Sequence, residues 1–283
     1  MGVPAQGTSR EVRGAVGRPE DVVPAAIVRA FDNRRAFFTA ESMWSADETL
    51  ITACAEMVVG EVPAEEFPLE VLDYGAGVGV VGRCLTERGL VVDVADVSPE
   101  MLRACEFARR RFLVPEETVL GPYDGIVLRQ VLQYVGCEQW EQFVWSLLGL
   151  LRPAGRLLFS QIVPVCDVDA GFWRQLTATG RPERQSFPTE NEFLRLCERT
   201  GAKVTAFRES RTRQSLRAWI ERAPVATQRG IEELFRLSSN AVRALWEIEY
   251  QEHGDILWTN RWVHVLVAPS NPKPVHVEAG HGP

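Results

Sequence analysis

Compact apolar runs alternate with amphipathic stretches along most of this chain. Val71-Leu72, Ile126 to Leu128 and Leu157 to Phe159 have the unbroken hydrophobicity of strands buried on both faces, and Leu90 to Ala95 reads the same way apart from Asp93. The segments between them carry helix signals. Val80 to Arg88 has the apolar content of a first helix; Ser98 is placed to cap a second, with Pro99 suited to its first position and Glu100 complementing its dipole. Pro188-Thr189-Glu190-Asn191-Glu192 is a capping-box start for a helix through Arg199 that Gly201 ends, and Lys203 to Ser210 then reads as a strand. Residues 215 to 250 form an amphipathic helical insertion before Ile256 to Ala268 returns as a strand. This alternation predicts an α/β fold on one mainly parallel sheet. Residues 23 to 60 read as helices that carry Phe31, Phe37, Phe38, Met43 and Trp44, a cluster that serves either as ordinary packing or as a lid over a ligand.

The first strand runs directly into Asp73-Tyr74-Gly75-Ala76-Gly77-Val78-Gly79-Val80-Val81-Gly82. Glycines there let the backbone turn sharply and approach a ligand without a Cβ in the way, so a nucleotide-type cofactor is expected over the N-terminus of the next helix. Gly77 to Gly82 satisfies the Gly-x-Gly-x-x-Gly pattern of dinucleotide binders, and Asp96 follows at a distance suited to a ribose hydroxyl. A pyrophosphate is anionic, however, and Asp73, two residues before the first glycine, works against it. A cofactor with a sulfonium and an α-ammonium reverses the argument, because Asp73 can accept from the ammonium directly or through water. A turn that only brings helix and strand close together is the remaining reading and needs no ligand. Asp96 ends an apolar run, at a strand's carboxyl end where it can take both ribose hydroxyls, whereas Asp93 lies mid-strand and reads as exposed or edge-facing.

Asp73-x-Gly75-x-Gly77-x-Gly79 followed by Asp96-Val97-Ser98-Pro99-Glu100-Met101 resembles the class I S-adenosylmethionine-dependent methyltransferases, especially the small-molecule enzymes of bacterial metabolism. Tyr123 to Val135 resembles their fourth strand and following loop, and Leu150 to Phe159 the turn into their fifth; the likeness covers about residues 65 to 270. It implies a doubly wound Rossmann-like sheet of seven strands in the order 3-2-1-4-5-7-6, the last antiparallel, with N-terminal helices and a helical insertion before the last strand. S-adenosylmethionine is the implied cofactor, with Asp73, Tyr74, Gly75, Gly77, Asp96, Val97, Met101, Leu128 and Arg129 as its contacts. The family's third strand ends in an acidic residue that meets the adenine amino group; here the region Arg109 to Leu120 is short, and Glu117 or Glu116 is the candidate. Gln133 stands where many relatives carry a His or another ionisable group near the acceptor. Gln133 and His253 are therefore the catalytic candidates, and Phe37, Trp44, Gln130 and Gln133 the acceptor-binding ones. The implied activity is methyl transfer to a nitrogen or oxygen of a natural-product-like small molecule, as in antibiotic biosynthesis. The alternatives are a cofactor-binding protein of the same fold with a non-methylating or regulatory role, and an NAD-dependent oxidoreductase.

A chain of 283 residues, 46% of them hydrophobic, can bury one large core, so a single domain over residues 22–269 is expected, with 22–64 as a helical lid and 215–253 as the insertion. Residues 1–21 and 270–283 read as disordered tails. The net charge of −7 argues against affinity drawn from phosphate contacts, so the expected partner is a small-molecule acceptor and not nucleic acid, with a homodimer left open. Arg109-Arg110-Arg111, the one basic run, reads as the late part of a helix. The six cysteines lack Cys-x-x-Cys or neighbouring His ligands, so a reducing, cytoplasmic setting without a metal site is expected, and no apolar run approaches a membrane span. His264 alternates with Trp262 and Leu266 and reads as a satisfied, partly buried strand residue. His253 lies in a loop with Tyr250, Glu252 and Asp255, either as a base titrating near neutrality or as a solvated side chain.

Overall fold

Residues 25–32, 46–60, 68–114, 116–181, 183–184 and 186–270 are described by the computed structural model of the chain. The expected tails apart from Ser270, and the lid residues 22–24, 33–45 and 61–64 with Phe37, Phe38, Met43 and Trp44 among them, lie outside these residues. Five strands, β1 (Glu70–Tyr74), β2 (Val91–Asp96), β3 (Arg110–Leu113), β4 (Tyr123–Arg129) and β5 (Leu151–Ile162), pair in parallel. Then come β6 (Ala202–Ser215), the two-residue β7 (Glu249–Tyr250) and β8 (Ile256–Pro269), which runs antiparallel to all three of its partners, β5, β6 and β7. The order β3-β2-β1-β4-β5-β8-β6 is the expected one, with an eighth strand because β7 adds to β8.

The period of two along each strand builds a core on both faces of the sheet. Val71, Val92, Val94, Val127, Leu158 and Leu266 point to one face, where α2 (Glu48–Val59) and α3 (Val80–Glu87) cover them with Cys54, Val58, Val81 and Leu85. Their strand neighbours Leu72, Ile126, Leu128, Leu157, Phe159 and Val265 point to the other, against α5 (Trp140–Leu148) and α7 (Glu190–Arg199). Helix α7 starts on the expected capping box: Thr189 Oγ1 accepts from the Glu192 N–H, and Glu192 accepts from the Thr189 N–H. Also before the insertion lie α1 (Ala25–Asp32) and the single turn α4 (Pro99–Leu102), which Ser98 caps as expected. No described helix is long and apolar enough to cross a membrane.

Two readings near β2 are corrected. Asp93 is fully buried, not exposed or edge-facing, and Arg109-Arg110-Arg111 is not a helix end but leads into β3. The two errors have one cause. Arg109 and Arg110 both donate to the Asp93 carboxylate, at 2.5 to 3.0 Å, and Tyr123 Oη donates at 3.0 Å. Burial alone would raise the Asp93 carboxyl; these hydrogen bonds outweigh it and hold the group down at about 2. The paired register Asp93↔Arg110 places a strand where three consecutive arginines suggested a helix.

The insertion is helical, as expected: α8 (Leu216–Ile220), α9 (Val225–Arg236) and α10 (Asn240–Leu245). Ile162 at the end of β5 pairs with Trp262, so β6 and the earlier residues of β8 continue together beyond the sheet's carboxyl end. On that arm the insertion packs against α6 (Asp167–Gly180) through Phe172, Trp173, Trp219, Phe235, Trp246 and Trp258. The aromatic cluster therefore sits on the side of the sheet where open α/β folds bind ligands.

Candidate functional site

At the carboxyl end of β1 the backbone turns through three left-handed glycines, Gly75, Gly77 and Gly79. Gly75, at φ +71, donates its N–H to the Ala95 carbonyl at 2.7 Å, and a Cβ there would lie 2.4 Å from Val131 Cγ2. Gly77, at φ +56, faces the opposite situation: no heavy atom lies within 4 Å of the position its Cβ would take. The turn thus presents open space directly above the strand ends, the cradle that a nucleotide-type cofactor needs.

Three carboxylates border that turn. Asp73 and Asp96, 2% and 6% exposed, lie at the same end of the sheet. Asp73 Oδ2 accepts from the Gly82 N–H of α3 at 2.9 Å, and Asp96 accepts from the N–H groups of Gly77 and Ser98 at 2.8 and 2.9 Å. The third, Asp32, closes α1 and accepts from Ser98 Oγ at 2.6 Å. Phe31 beside it meets the Tyr134 ring edge-on with centroids 4.9 Å apart, so α1 touches both the loop after β2 and the loop after β4. Burial pushes the Asp73 carboxyl up to about 7 against the Gly82 hydrogen bond and Arg129. Burial likewise pushes Asp96 up to about 6, with Asp32 adding to the shift. A concentration of buried negative charge at a glycine turn repels a pyrophosphate and fits a cation. Gly82, moreover, has already given Asp73 one of the α3 N–H groups that a pyrophosphate would use.

The pH dependence follows from these shifts. Both carboxyls sit above their unfolded value of about 4, so the folded chain retains the two protons longer than the unfolded chain. Their contribution to stability is complete below about pH 4 and is lost as pH rises through about 6 and about 7. A cationic ligand needs both ionised. Its affinity is expected to rise between about pH 5.5 and about pH 8 while the thermal midpoint of the ligand-free chain falls, which calorimetry and thermal melts across that range would check.

The remaining expected site residues fall into distinct places. Val97 follows Asp96 at the turn, Met101 on α4 is fully buried, and Tyr74 packs edge-on against Phe143 at 5.6 Å. Leu128 puts its side chain into the core, leaving its backbone at the strand end. Arg129 is buried with its guanidinium 5.5 Å from the Trp262 ring centroid. Glu117 is exposed beyond β3 and accepts from the Leu113 N–H at 2.9 Å; Glu116 is exposed as well. Gln130 and Gln133 are buried on the loop after β4. His253 is exposed in the turn between β7 and β8, where Arg217 donates to its carbonyl at 2.9 Å. His264 is fully buried with Nε2 3.1 Å from Ser210 Oγ, and burial, aided by Arg129, brings it down to about 4. Phe37 and Trp44 lie outside the described residues.

Sequence reasoning did not select Asp32, Gln161 or Asp169, which carry no local pattern and acquire partners only through the fold. Asp169 accepts from Trp246 Nε1 at 2.7 Å and from the Val165 N–H at 2.8 Å. With Trp173, Trp246, Asn260 and Arg261 it lines a cavity of about 310 Å³ between the end of β5, α6 and the insertion.

The Methyltransferase domain family model matches residues 44–206, more than half of the chain. No curated protein sequence is similar enough to match. Among solved structures, a protein of Bacillus halodurans C-125 superposes with a TM-score of 0.68 at 11% identity, covering 78% of this chain and 99% of its own. YcgJ of Bacillus subtilis gives 0.67 at 16% identity, with 79% and 99% covered. The mycolic acid cyclopropane synthase CmaA1, complexed with SAH and CTAB, gives 0.59 at 16% identity, with 87% and 100% covered. Family match, sheet order and glycine turn agree: the chain belongs to the methyltransferase-domain family and has the class I S-adenosylmethionine-dependent methyltransferase fold.

Proposed function

We propose that this protein is an S-adenosylmethionine-dependent methyltransferase that modifies a nitrogen or oxygen of a small-molecule acceptor. The observation that carries the reading is the grouping of Asp73, Asp96 and Asp32 around the open glycine turn. S-adenosylmethionine supplies a methyl group on a sulfonium that leaves as a neutral thioether. Asp73 would face its α-ammonium, Asp96 would accept from the ribose hydroxyls, and Gly77 leaves room for the nucleoside above the strand ends. The protein's own tasks are then to align the acceptor with the methyl carbon and to keep water out. The candidates for that task are α1, the loop holding Gln130 and Gln133, and the Trp173–Trp246 wall under the insertion.

Incubation with methyl-labelled S-adenosylmethionine and a panel of small amines, amides and phenols, followed by mass spectrometry, tests the proposal. Labelled product together with equimolar S-adenosylhomocysteine is the expected result. Tight cofactor binding with no acceptor methylated would favour a cofactor-binding protein of another function.

A further inference from the structure

We propose that the acceptor meets this protein through an uncharged edge that carries one hydrogen-bond donor beside one acceptor, as in a lactam or carboxamide, read by Gln133 and Gln130. The inference rests on the reading of the loop after β4 as a wall of the acceptor site. Both side chains are buried, at 1% and 5% exposed. Gln133 Nε2 donates to the Gln130 carbonyl at 3.1 Å. Only an NH₂ group can face a carbonyl in this way, so the amide orientation is fixed and Oε1 is left buried without a partner. Gln130 Oε1 accepts from Gln161 Nε2 at 3.1 Å, and its own Nε2 is left without a partner.

Folded chains leave few such groups, because a buried amide atom without a partner is costly. The pair is also held firmly. The Gln130 N–H donates to the Ser160 carbonyl at 2.9 Å, the Ser186 N–H donates to the Gln133 carbonyl at 3.3 Å, and Gln130 stands at φ +56, a left-handed backbone uncommon outside glycine. One acceptor atom and one donor atom, three residues apart, are thus preorganised at the carboxyl end of β4.

Their opposite sense selects the ligand. A carboxylate would bring only lone pairs to Gln133 Oε1, and an ammonium would bring only N–H groups to Gln130 Nε2. An amide edge satisfies both: its N–H donates to Gln133 and its C=O accepts from Gln130.

Calorimetry on the full chain saturated with S-adenosylhomocysteine tests this with three bicyclic probes of similar size: the lactam carbostyril, naphthoate and naphthylmethylammonium. Carbostyril is expected to bind at least about tenfold more tightly than either charged probe. Gln133→Met and Gln130→Glu should each weaken it by about tenfold or more, with S-adenosylhomocysteine affinity unchanged and circular dichroism establishing that each variant folds. N-methylcarbostyril, which keeps the carbonyl and lacks the N–H, reads the Gln133 contact on the parent chain and should also bind about tenfold more weakly. Preference for a charged probe, equal binding of the two lactams, or no carbostyril binding to a chain that does bind S-adenosylhomocysteine overturns the inference and leaves the methyltransferase reading standing. Failure of S-adenosylhomocysteine to bind the parent chain overturns both.

Discussion

Replacing Asp96 by Ala is expected to weaken S-adenosylmethionine binding by about 1.5 to 3 kcal/mol, roughly ten- to 150-fold. The proposed site puts Asp96 on the ribose, and loss of a charge-assisted contact in a buried setting has that magnitude. The substitution also releases the Gly77 and Ser98 N–H groups, which Asp96 holds at 2.8 and 2.9 Å, so the shape of the glycine turn suffers with the contact. Asp96→Asn retains one accepting oxygen and is expected to lose less. Calorimetry on both variants, with circular dichroism to establish folding, reads the effect; unchanged affinity in folded Asp96→Ala would remove Asp96 from the donor site.

A second large effect concerns stability. Asp93→Ala is expected to destabilise the chain by about 3 kcal/mol at neutral pH, the lower end of the range for breaking a buried ion pair. The lower end applies because Arg109 and Arg110 are 36% and 40% exposed, so water can reach the guanidinium groups once the carboxylate is gone. Tyr123 Oη loses its partner as well. The sign with pH follows from a carboxyl held at about 2: the stabilisation is present above the unfolded value of about 4 and is lost as pH falls through about 2. Urea unfolding of parent and variant should therefore differ by about 3 kcal/mol at pH 7 and converge near pH 2. Identical unfolding curves at pH 7 would mean that the cluster contributes nothing net.

The parts legible in the sequence are those in which local pattern and tertiary environment agree. Val71-Leu72 and Leu157 to Phe159 are apolar on both faces because both faces are covered, so their runs identify central strands directly. Gly75 and Gly77 stand where the turn demands positive φ, and Ser98 and Thr189 cap the helices that follow them. Strand β3 was hidden because its arginines answer to Asp93 on the neighbouring strand, a partner that no window along the chain contains. Strand β6 continues to Ser215, five residues beyond its apparent end at Ser210, through the exposed Arg211 and Arg213, because pairing with β8 rather than hydrophobicity determines its length. The site follows the same division. Asp73 and Asp96 were readable from their spacing to the glycines, whereas Asp32 joins them only through α1, and the amide pair becomes meaningful only once Gln161 has taken one of its four amide atoms.

With Asp73, Asp96 and Asp32 around it, the glycine turn suits the cationic S-adenosylmethionine and not a pyrophosphate. Isothermal calorimetry with S-adenosylmethionine and with NAD on the same preparation, at about pH 8 where Asp73 and Asp96 are ionised, tests it most directly. Saturable one-to-one binding of S-adenosylmethionine and no heat from NAD are expected. Saturable binding of NAD with none of S-adenosylmethionine would contradict it.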